Sequence, residues 1–177
     1  MAGNDSNIGQ YFYGEQLDLI NKSIFDNIFA NEILIKLLWY NTSDALSLSN
    51  VSEKNKYAMI DQTDYTNTRI FDQRAPYVVE NNKRSELRFF LYEIYPENTV
   101  LAKVCMGFQI IIHKDKDVWH LDDGNIRLYK IYQELLKTFN GKEVSGIGDM
   151  IFLRPQRIES FGEFFDGFTL FGQTRVT

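Results

Sequence analysis

The chain has 177 residues, of which 44% are hydrophobic, 15% aromatic and 24% charged. This length suits a single domain, and burying that much apolar material offsets the conformational entropy that a disordered chain would keep. The formal net charge of -5 argues against a general nucleic-acid binder, whose surface is usually basic.

The first ten residues, MAGNDSNIGQ, lack the basic and apolar regions of a signal peptide. No run approaches the roughly 18 apolar residues that a membrane span requires. Cys105 is the only cysteine, and its apolar neighbours predict a buried thiol in a reducing compartment. We therefore expect a protein made in the cytoplasm, with no membrane partner.

Residues 1–14 are predicted to form an N-terminal arm, and residues 15–177 a single α+β domain. A helix is predicted from Leu17 to Tyr40, because apolar residues recur there at spacings of three, four or seven. These residues are Leu17, Ile20, Ile24, Ile28, Ile35 and Leu38. Four further residues, Phe25, Phe29, Leu34 and Leu37, widen the apolar stripe. The helix is therefore either fully buried in its own core or also packed against another chain.

Residues 41–67 are predicted to form a long polar loop, since they lack regular periodicity and exceed the usual length of a connection. Two short extended segments, TRIFDQ and APYVVE, are predicted to follow it. The sequence ELRFFLYEIY then alternates apolar residues with Arg88, Phe90 and Tyr92, which predicts a strand covered on both faces. With VLAKVCMGFQIIIH it forms an antiparallel hairpin over residues 86–113, in which Gly107 indicates a bulge or bend.

A second helix is predicted in NIRLYKIYQELLKTFNG, with Asp122 or Asp123 as its N-cap and Asn140 with Gly141 at its end. Its buried face is predicted to contain Leu128, Ile131, Leu135 and Phe139. The last two strands are predicted in GDMIFLRP and EFFDGFTLFGQTRVT. The fold class that follows is α+β: a mostly antiparallel sheet flanked by an N-terminal helix and a second helix, with a long polar loop.

The segment IIIHKDKDVWHLDDG, residues 110–124, contains both histidines of the chain. A metal site would use His113 and His120 with the neighbouring aspartates, which are Asp115, Asp117, Asp122 and Asp123. Two histidines seven residues apart across a loop do not match the close pairs of common metal motifs. We therefore favour a joint between a strand and a helix, whose aspartates lie at the helix N-terminus, and we predict no metal, no cofactor and no catalytic residue.

The basic residues are scattered, and the densest group contains Lys83, Arg84 and Arg88. Phosphate contacts and solvated strand flanks both account for such a group. The sequence does not distinguish between these two explanations.

The order of the elements carries a family resemblance. The N-terminal helix and long loop are followed by TRIF and SELRFFLYEIY, then by VCMGFQIIIH, the helix DDGNIRLYKIYQELLKTFNG, and finally FFDGFTLFGQTRV. Over residues 15–177 this arrangement resembles the neck and tail terminator proteins of tailed bacteriophages. The resemblance implies a structural virion protein, not an enzyme, that forms a ring of about six subunits at the head–tail junction.

The resemblance also implies the partners of such a ring. They are other copies of the chain, a head-side connector or adaptor and the tail tube protein, with DNA passing through without sequence-specific binding. Candidate subunit contacts are Tyr11, Phe12 and Tyr13, which alternatively form a hydrophobic lead-in to the first helix of the same subunit. Two other functions remain open: another phage tail or head completion protein, or a small metal-binding protein or enzyme that uses His113 and His120.

Overall fold

A mixed β-sheet carries its helices on one face. In a computed structural model the chain is described over residues 8–63, 65–74, 82–96, 102–143, 148–153, 155–157 and 163–176. The helices are α1 (Ile8–Ala30), α2 (Glu32–Trp39), α3 (Glu53–Ala58), α4 (Lys116–Trp119) and α5 (Arg127–Phe139). The strands are β1 (Ile70–Phe71), β2 (Ser85–Pro96), β3 (Ala102–His113), β4 (Lys142–Glu143), β5 (Asp149–Phe152), β6 (Gln156–Arg157) and β7 (Phe165–Val176). None of the helices in these ranges is both long and apolar enough to cross a membrane.

The sheet follows the order β1-β2-β3-β7-β5-β4, and β6 pairs separately with β7. Its centre is formed by β2, β3 and β7, which pair antiparallel along most of their length. Among the described strands only β1 and β2 pair in parallel. The predicted α+β class with a mostly antiparallel sheet is confirmed, and so is the β2–β3 hairpin. The short strands β4 and β6 were not predicted.

The hydrophobic core lies between one face of the sheet and α1, α2 and α5. Alternate residues of the long strands β2, β3 and β7 point into it, as the period of two requires. Phe108 of β3 is central, with ring centroids 6.4 Å from Phe89 and 5.4 Å from Phe139. The four residues predicted on the buried face of the second helix are all buried. Each large apolar side chain removed from water in this way contributes about 1.5–3 kcal/mol.

The predicted helix over residues 17–40 is two helices that meet at Asn31, so the prediction of one helix was wrong. The Asn31 side chain caps α2 by accepting a hydrogen bond from the Leu34 N–H at 3.0 Å. Its amide donates to the Thr138 hydroxyl at 2.8 Å, which ties the junction to α5. Since α1 begins at Ile8, the predicted N-terminal arm of residues 1–14 includes the first turns of this helix, and the division between arm and domain stays a prediction.

The wide apolar stripe of these two helices belongs to the core of the same chain. Leu34 and Leu37 are fully buried, and Phe25 and Phe29 pack partly buried against the core. Five of the six periodic residues are buried: Ile20, Ile24, Ile28, Ile35 and Leu38. The side chain of the sixth, Leu17, lies outside the described residues. The core interpretation of this stripe is therefore confirmed.

The segment 41–67 is long, as predicted, but it is not irregular. It contains α3 and three buried apolar residues, Ala45, Val51 and Met59. The Glu32 carboxylate of α2 holds it in place by accepting from the Val51 N–H at 2.9 Å and pairing with the Lys56 ammonium at 3.2 Å. This segment is therefore held against the rest of the same chain by buried apolar residues and by Glu32.

The predicted bulge at Gly107 was placed on the wrong strand. The register shifts on β2, between Leu91 and Glu93, whereas Gly107 lies in regular register opposite Phe90. A Cβ atom at Gly107 would lie 2.4 Å from Cζ of Phe90. The glycine is therefore required by the Phe90 ring, which covers β3 at this point.

Neither Asp122 nor Asp123 caps α5, so this prediction was also wrong. The N-cap is Ile126, without a side-chain hydrogen bond, and the Asp123 carboxylate instead accepts from the Asn125 N–H at 3.0 Å. The predicted end is confirmed: Asn140 is the C-cap, and Gly141 has a φ of 67°. The predicted extended segment APYVVE, residues 75–80, lies outside the described residues, and TRIFDQ contributes only β1.

Candidate subunit interface

The face of the sheet opposite the helices, which we call the outer face, also carries large apolar side chains. Strand pairing places Phe90 of β2 and Phe171 of β7 on either side of Gly107. On β5, Phe152 points into the core, so Ile151 and Leu153 point outward beside Gln173 and Phe171. We call Phe90, Tyr92, Ile151, Leu153 and Phe171 the outer patch.

The outer patch is exposed to solvent although its residues are apolar or aromatic. Ile151 is 60% exposed, Tyr92 53% and Leu153 46%, while Phe90 and Phe171 are half-buried. The rings of Tyr92 and Phe171 contact each other, with centroids 4.6 Å apart. Since large side chains of this kind carry about 150–250 Å² each, the outer patch leaves roughly 400 Å² of side-chain surface in water. Patches of a few hundred Å² commonly mark interaction sites.

Polar and charged groups lie beside the β2 part of the outer patch. The Arg74 guanidinium lies 5.9 Å from the centroid of the Phe90 ring, where it makes a cation–π contact. The Tyr95 hydroxyl donates to the Glu93 carboxylate, and this hydrogen bond raises the pKa of Tyr95 to about 12. An apolar centre with a polar rim is the usual organisation of a protein–protein interface.

The remainder of the outer face on β2 is occupied by a buried charged triad. The Glu86 carboxylate accepts from the Arg84 guanidinium at 2.7 and 2.6 Å and from the Arg88 guanidinium at 2.9 and 2.7 Å. Arg84 also donates to the Tyr65 carbonyl at 2.8 Å, and Arg88 stacks 3.9 Å from the centroid of Phe71. Solvated strand flanks therefore do not account for Arg84 and Arg88, which are buried, whereas Lys83 is exposed. The triad therefore links β2 to β1 and to the segment that precedes β1.

The two histidines lie in different surroundings. His113 is buried at the end of β3, stacked on Phe164 and edge-on to Phe165, and its Nδ1 accepts from the Asp115 N–H at 2.9 Å. His120 is exposed and follows α4, where it forms a bridge with Ile126. The described residues contain no group of three metal-ligating side chains. The geometry gives the metal hypothesis no support.

The aspartates of the same segment have local roles. Asp115 caps α4 by accepting from the Asp117 N–H at 3.1 Å, and its other oxygen pairs with the Lys83 ammonium at 2.6 Å. This ion pair lowers the pKa of Asp115. The Asp122 N–H donates to the Ser43 carbonyl, which links this turn to the long loop. Together these contacts form the joint between strand and helix that the sequence favours.

We expect the buried His113 to make stability fall as the solution becomes mildly acidic. Burial lowers the pKa of His113 below its usual 6.5, against an opposing contribution from the Asp115 carboxylate and with a smaller lowering by Lys83. Between that folded-state pKa and 6.5 the unfolded chain binds more protons than the folded chain, so unfolding becomes easier as pH falls. The titration of Asp115 itself does not contribute in this pH range, because the stability that its lowered pKa provides is lost only below about 3.8.

The test is urea unfolding between pH 7.5 and 5.5. His113→Gln retains an acceptor for the Asp115 N–H but cannot be protonated, so it should flatten the dependence of the midpoint on pH. His120→Gln is the matched control and should leave the dependence unchanged. An equally steep fall in His113→Gln would show that another group is responsible.

The candidate contacts Tyr11, Phe12 and Tyr13 lie within the backbone of α1, not before the first helix as predicted. Their side chains are outside the described residues, so their contact role stays a prediction. Ile151 and Leu153 were not identified as contact candidates from the sequence, although the pattern that indicates them is present. In DMIFL the apolar residues Met150 and Phe152 alternate with Ile151 and Leu153, so apolar side chains occupy both faces.

An α+β domain with an apolar sheet face exposed to solvent is typical of proteins that act by binding other proteins. No curated protein matches this chain. The family model YomW matches residues 31–174, and the chain therefore belongs to the YomW family. YomW is a protein of a Bacillus phage region, which makes this a phage-associated family. The match begins at the α1–α2 junction and includes every residue of the outer patch.

Proposed function

We propose that this protein is a structural virion protein that assembles with copies of itself into a ring at the head–tail junction of a tailed bacteriophage. The observation that carries the proposal is the outer patch, in which three of five apolar or aromatic residues are exposed, in a chain of a phage-associated family. Association between subunits would remove this surface from water, which stabilises an assembly by about 25 cal/mol per Å². The role is mechanical rather than enzymatic.

The proposal includes the neighbours of such a ring. A head-side connector or adaptor would contact one side of it and the tail tube protein the other. DNA would pass through the centre without sequence-specific binding, which suits a chain whose formal net charge is -5. The protein would be made in the host cytoplasm and end in the virion at the neck or tail end.

The test is the mass of the purified chain by light scattering over a range of concentrations, with electron microscopy of the same sample. We expect a closed ring whose mass is a multiple of 20.7 kDa, near sixfold. Rings that stack into long tubes would indicate a tail tube protein instead. A chain that stays monomeric at every concentration, alone and with tail components, would contradict the proposal.

Two exposed residues of the outer patch provide the matched variant. Ile151→Ser with Leu153→Ser removes exposed apolar surface and leaves the core intact. The free energy of unfolding should therefore change by under about 1 kcal/mol. We expect the protein concentration at which this double variant assembles to be at least tenfold higher than for the natural chain. Tyr57→Ser is the control, because Tyr57 is 66% exposed on α3, in the helical layer. If both variants assemble as the natural chain does, the outer patch is not the contact.

A further inference from the structure

The most exposed apolar residues of the sheet lie at two opposite edges of it. On β5 they are Ile151 and Leu153, which we call the β5 edge; on β2 they are Leu91, Tyr92 and Tyr95, which we call the β2 edge. The strands between them, β3 and β7, expose no large apolar side chain among their described residues. Neighbouring strands are about 4.8 Å apart, so about 14 Å separates the two edges.

Each group lies where the sheet ends. The strand β1 pairs with β2 only at Leu87 and Arg88, so no strand in the described ranges lies beside the second half of β2. At the other end, β4 pairs with only the first two residues of β5. Of the strands described, none therefore lies beside Ile151 or Leu153 on the side away from β7. Apolar side chains on an uncovered sheet edge favour association with another chain.

We propose that the β5 edge of one copy packs beside the β2 edge of the next copy. This inference rests on the proposed function, because it names the two surfaces through which the ring assembles. The two edges are different parts of the chain, and a contact between unlike surfaces repeats from subunit to subunit until it closes into a ring. Ile151, Leu153, Tyr92 and Tyr95 all lie on the outer face, so the outer patches of neighbouring copies become continuous.

The area of this contact suits a second copy. Leu91 is 42% and Tyr95 47% exposed, and with the other three residues, at about 150–250 Å² per large side chain, the two edges leave roughly 500 Å² in water. Apolar surface makes up a little over half of a protein–protein interface, so the whole contact would bury about 900 Å². This is close to the roughly 1,000 Å² of a specific interface, and each subunit of a closed ring makes two such contacts.

Side chains, rather than a continued β-ladder, form the contact. The Phe152 N–H of β5 already donates to the Asn140 side-chain oxygen at 3.1 Å. On β2 the register shifts between Leu91 and Glu93, which interrupts the regular spacing of backbone donors and acceptors. Substitution of the exposed side chains should therefore be sufficient to break the contact.

Two variants that each lack one edge test the pairing of unlike surfaces. Ile151→Ser with Leu153→Ser keeps the β2 edge, and Tyr92→Ser with Tyr95→Ser keeps the β5 edge. An equimolar mixture has one intact pair of edges, so light scattering should show a dimer, twice 20.7 kDa, that does not grow further. We expect at least tenfold more dimer in the mixture than in either variant alone, and its formation shows that both variants are folded.

The matched control is Tyr57→Ser with Tyr129→Ser, which replaces two exposed tyrosines of the helical layer. This variant should form rings as the natural chain does. If it loses assembly to the same extent as the two edge variants, the effect is not specific to the edges and the inference is overturned.

A crosslink provides a second measurement that changes only one residue of an edge. In a Cys105→Ala background, one sample carries Tyr95→Cys and another Ile151→Cys. The two are mixed at a concentration where both are monomeric, concentrated, and treated with a short thiol–thiol crosslinker. Covalent dimers should be at least tenfold more abundant in the mixture than in either sample alone.

The outcomes separate this inference from the proposed function. Equal amounts of dimer in the mixture and in one variant alone would show that like surfaces meet, which overturns the pairing of unlike edges while leaving self-association intact. Rings of the natural chain, combined with a mixture that gives neither dimers nor crosslinks, would overturn the inference and leave the ring. A natural chain that is monomeric at every concentration, alone and with tail components, would overturn both.

Discussion

Glu86→Gln is expected to destabilise the folded protein by about 3–5 kcal/mol, the usual cost of removing one partner from a buried ion pair. The Glu86 carboxylate is fully buried and accepts from two guanidinium groups, those of Arg84 and Arg88. Glutamine fills the same space but carries no charge, so both arginines would remain buried without their carboxylate. The loss should free β1 and the segment before it from β2.

The measurement is the free energy of unfolding in urea, with Glu53→Gln as the matched control. Glu53 also pairs with a cation, Lys56 at 3.1 Å, but its side chain is 76% exposed. Exposed pairs of this kind contribute under about 1 kcal/mol. Equal losses in the two variants would mean that the triad does not stabilise the fold through its buried charge.

The sequence predicted the parts of the fold that periodicity controls. Apolar residues at helical spacing located the buried faces of α2 and α5, and alternation located β2. These patterns are local, because each side chain needs only to point to the correct side of its own element. The fold class followed from the order of these elements.

Features that depend on distant partners were missed. Asn31 ends α1 and caps α2 while its amide bonds Thr138, a residue 107 positions away. Residues 84–88, at the start of β2, resemble a solvated strand in sequence. Their charges are buried favourably only because the segment containing Tyr65 and Phe71 folds against them. Neither partner is identifiable by spacing along the chain.

The candidate interface was missed for a different reason. The aromatic residues of β2 indicated that both sheet faces are covered, but periodicity cannot distinguish cover by the same chain from cover by another. Near Glu86 the outer face is buried, whereas at Tyr92 and Ile151 it is exposed. That difference depends on which parts of the outer face are covered by other segments of the chain, and only the tertiary structure shows this.

Arg127→Met is expected to lower the free energy of unfolding by about 4 kcal/mol or more. Arg127 is fully buried, and the described hydrogen bonds of its guanidinium all go to backbone carbonyls. Its guanidinium bonds the carbonyls of Val118 at 2.5 Å, Leu37 at 2.7 Å, Tyr40 at 2.6 Å and Thr42 at 2.5 Å. Methionine fills similar space but leaves four carbonyls without this donor, of which those of Val118 and Leu37 are buried and the other two partly buried. Each buried acceptor left unsatisfied costs about 1–3 kcal/mol. Burial lowers the pKa of Arg127 to about 10, so the side chain remains charged at neutral pH.

Arg127→Lys and Lys130→Met make the argument specific. Lysine keeps the charge but has one nitrogen, which cannot reach four carbonyls from the geometry of the guanidinium fork, so an intermediate loss is expected. Lys130 lies on the same helix and is only half-buried, and its change to methionine should cost under about 1 kcal/mol. A loss below about 1 kcal/mol in Arg127→Met would show that water replaces the guanidinium. A loss of the expected size would show that one side chain holds the end of α2, the turn after it and α4 against α5.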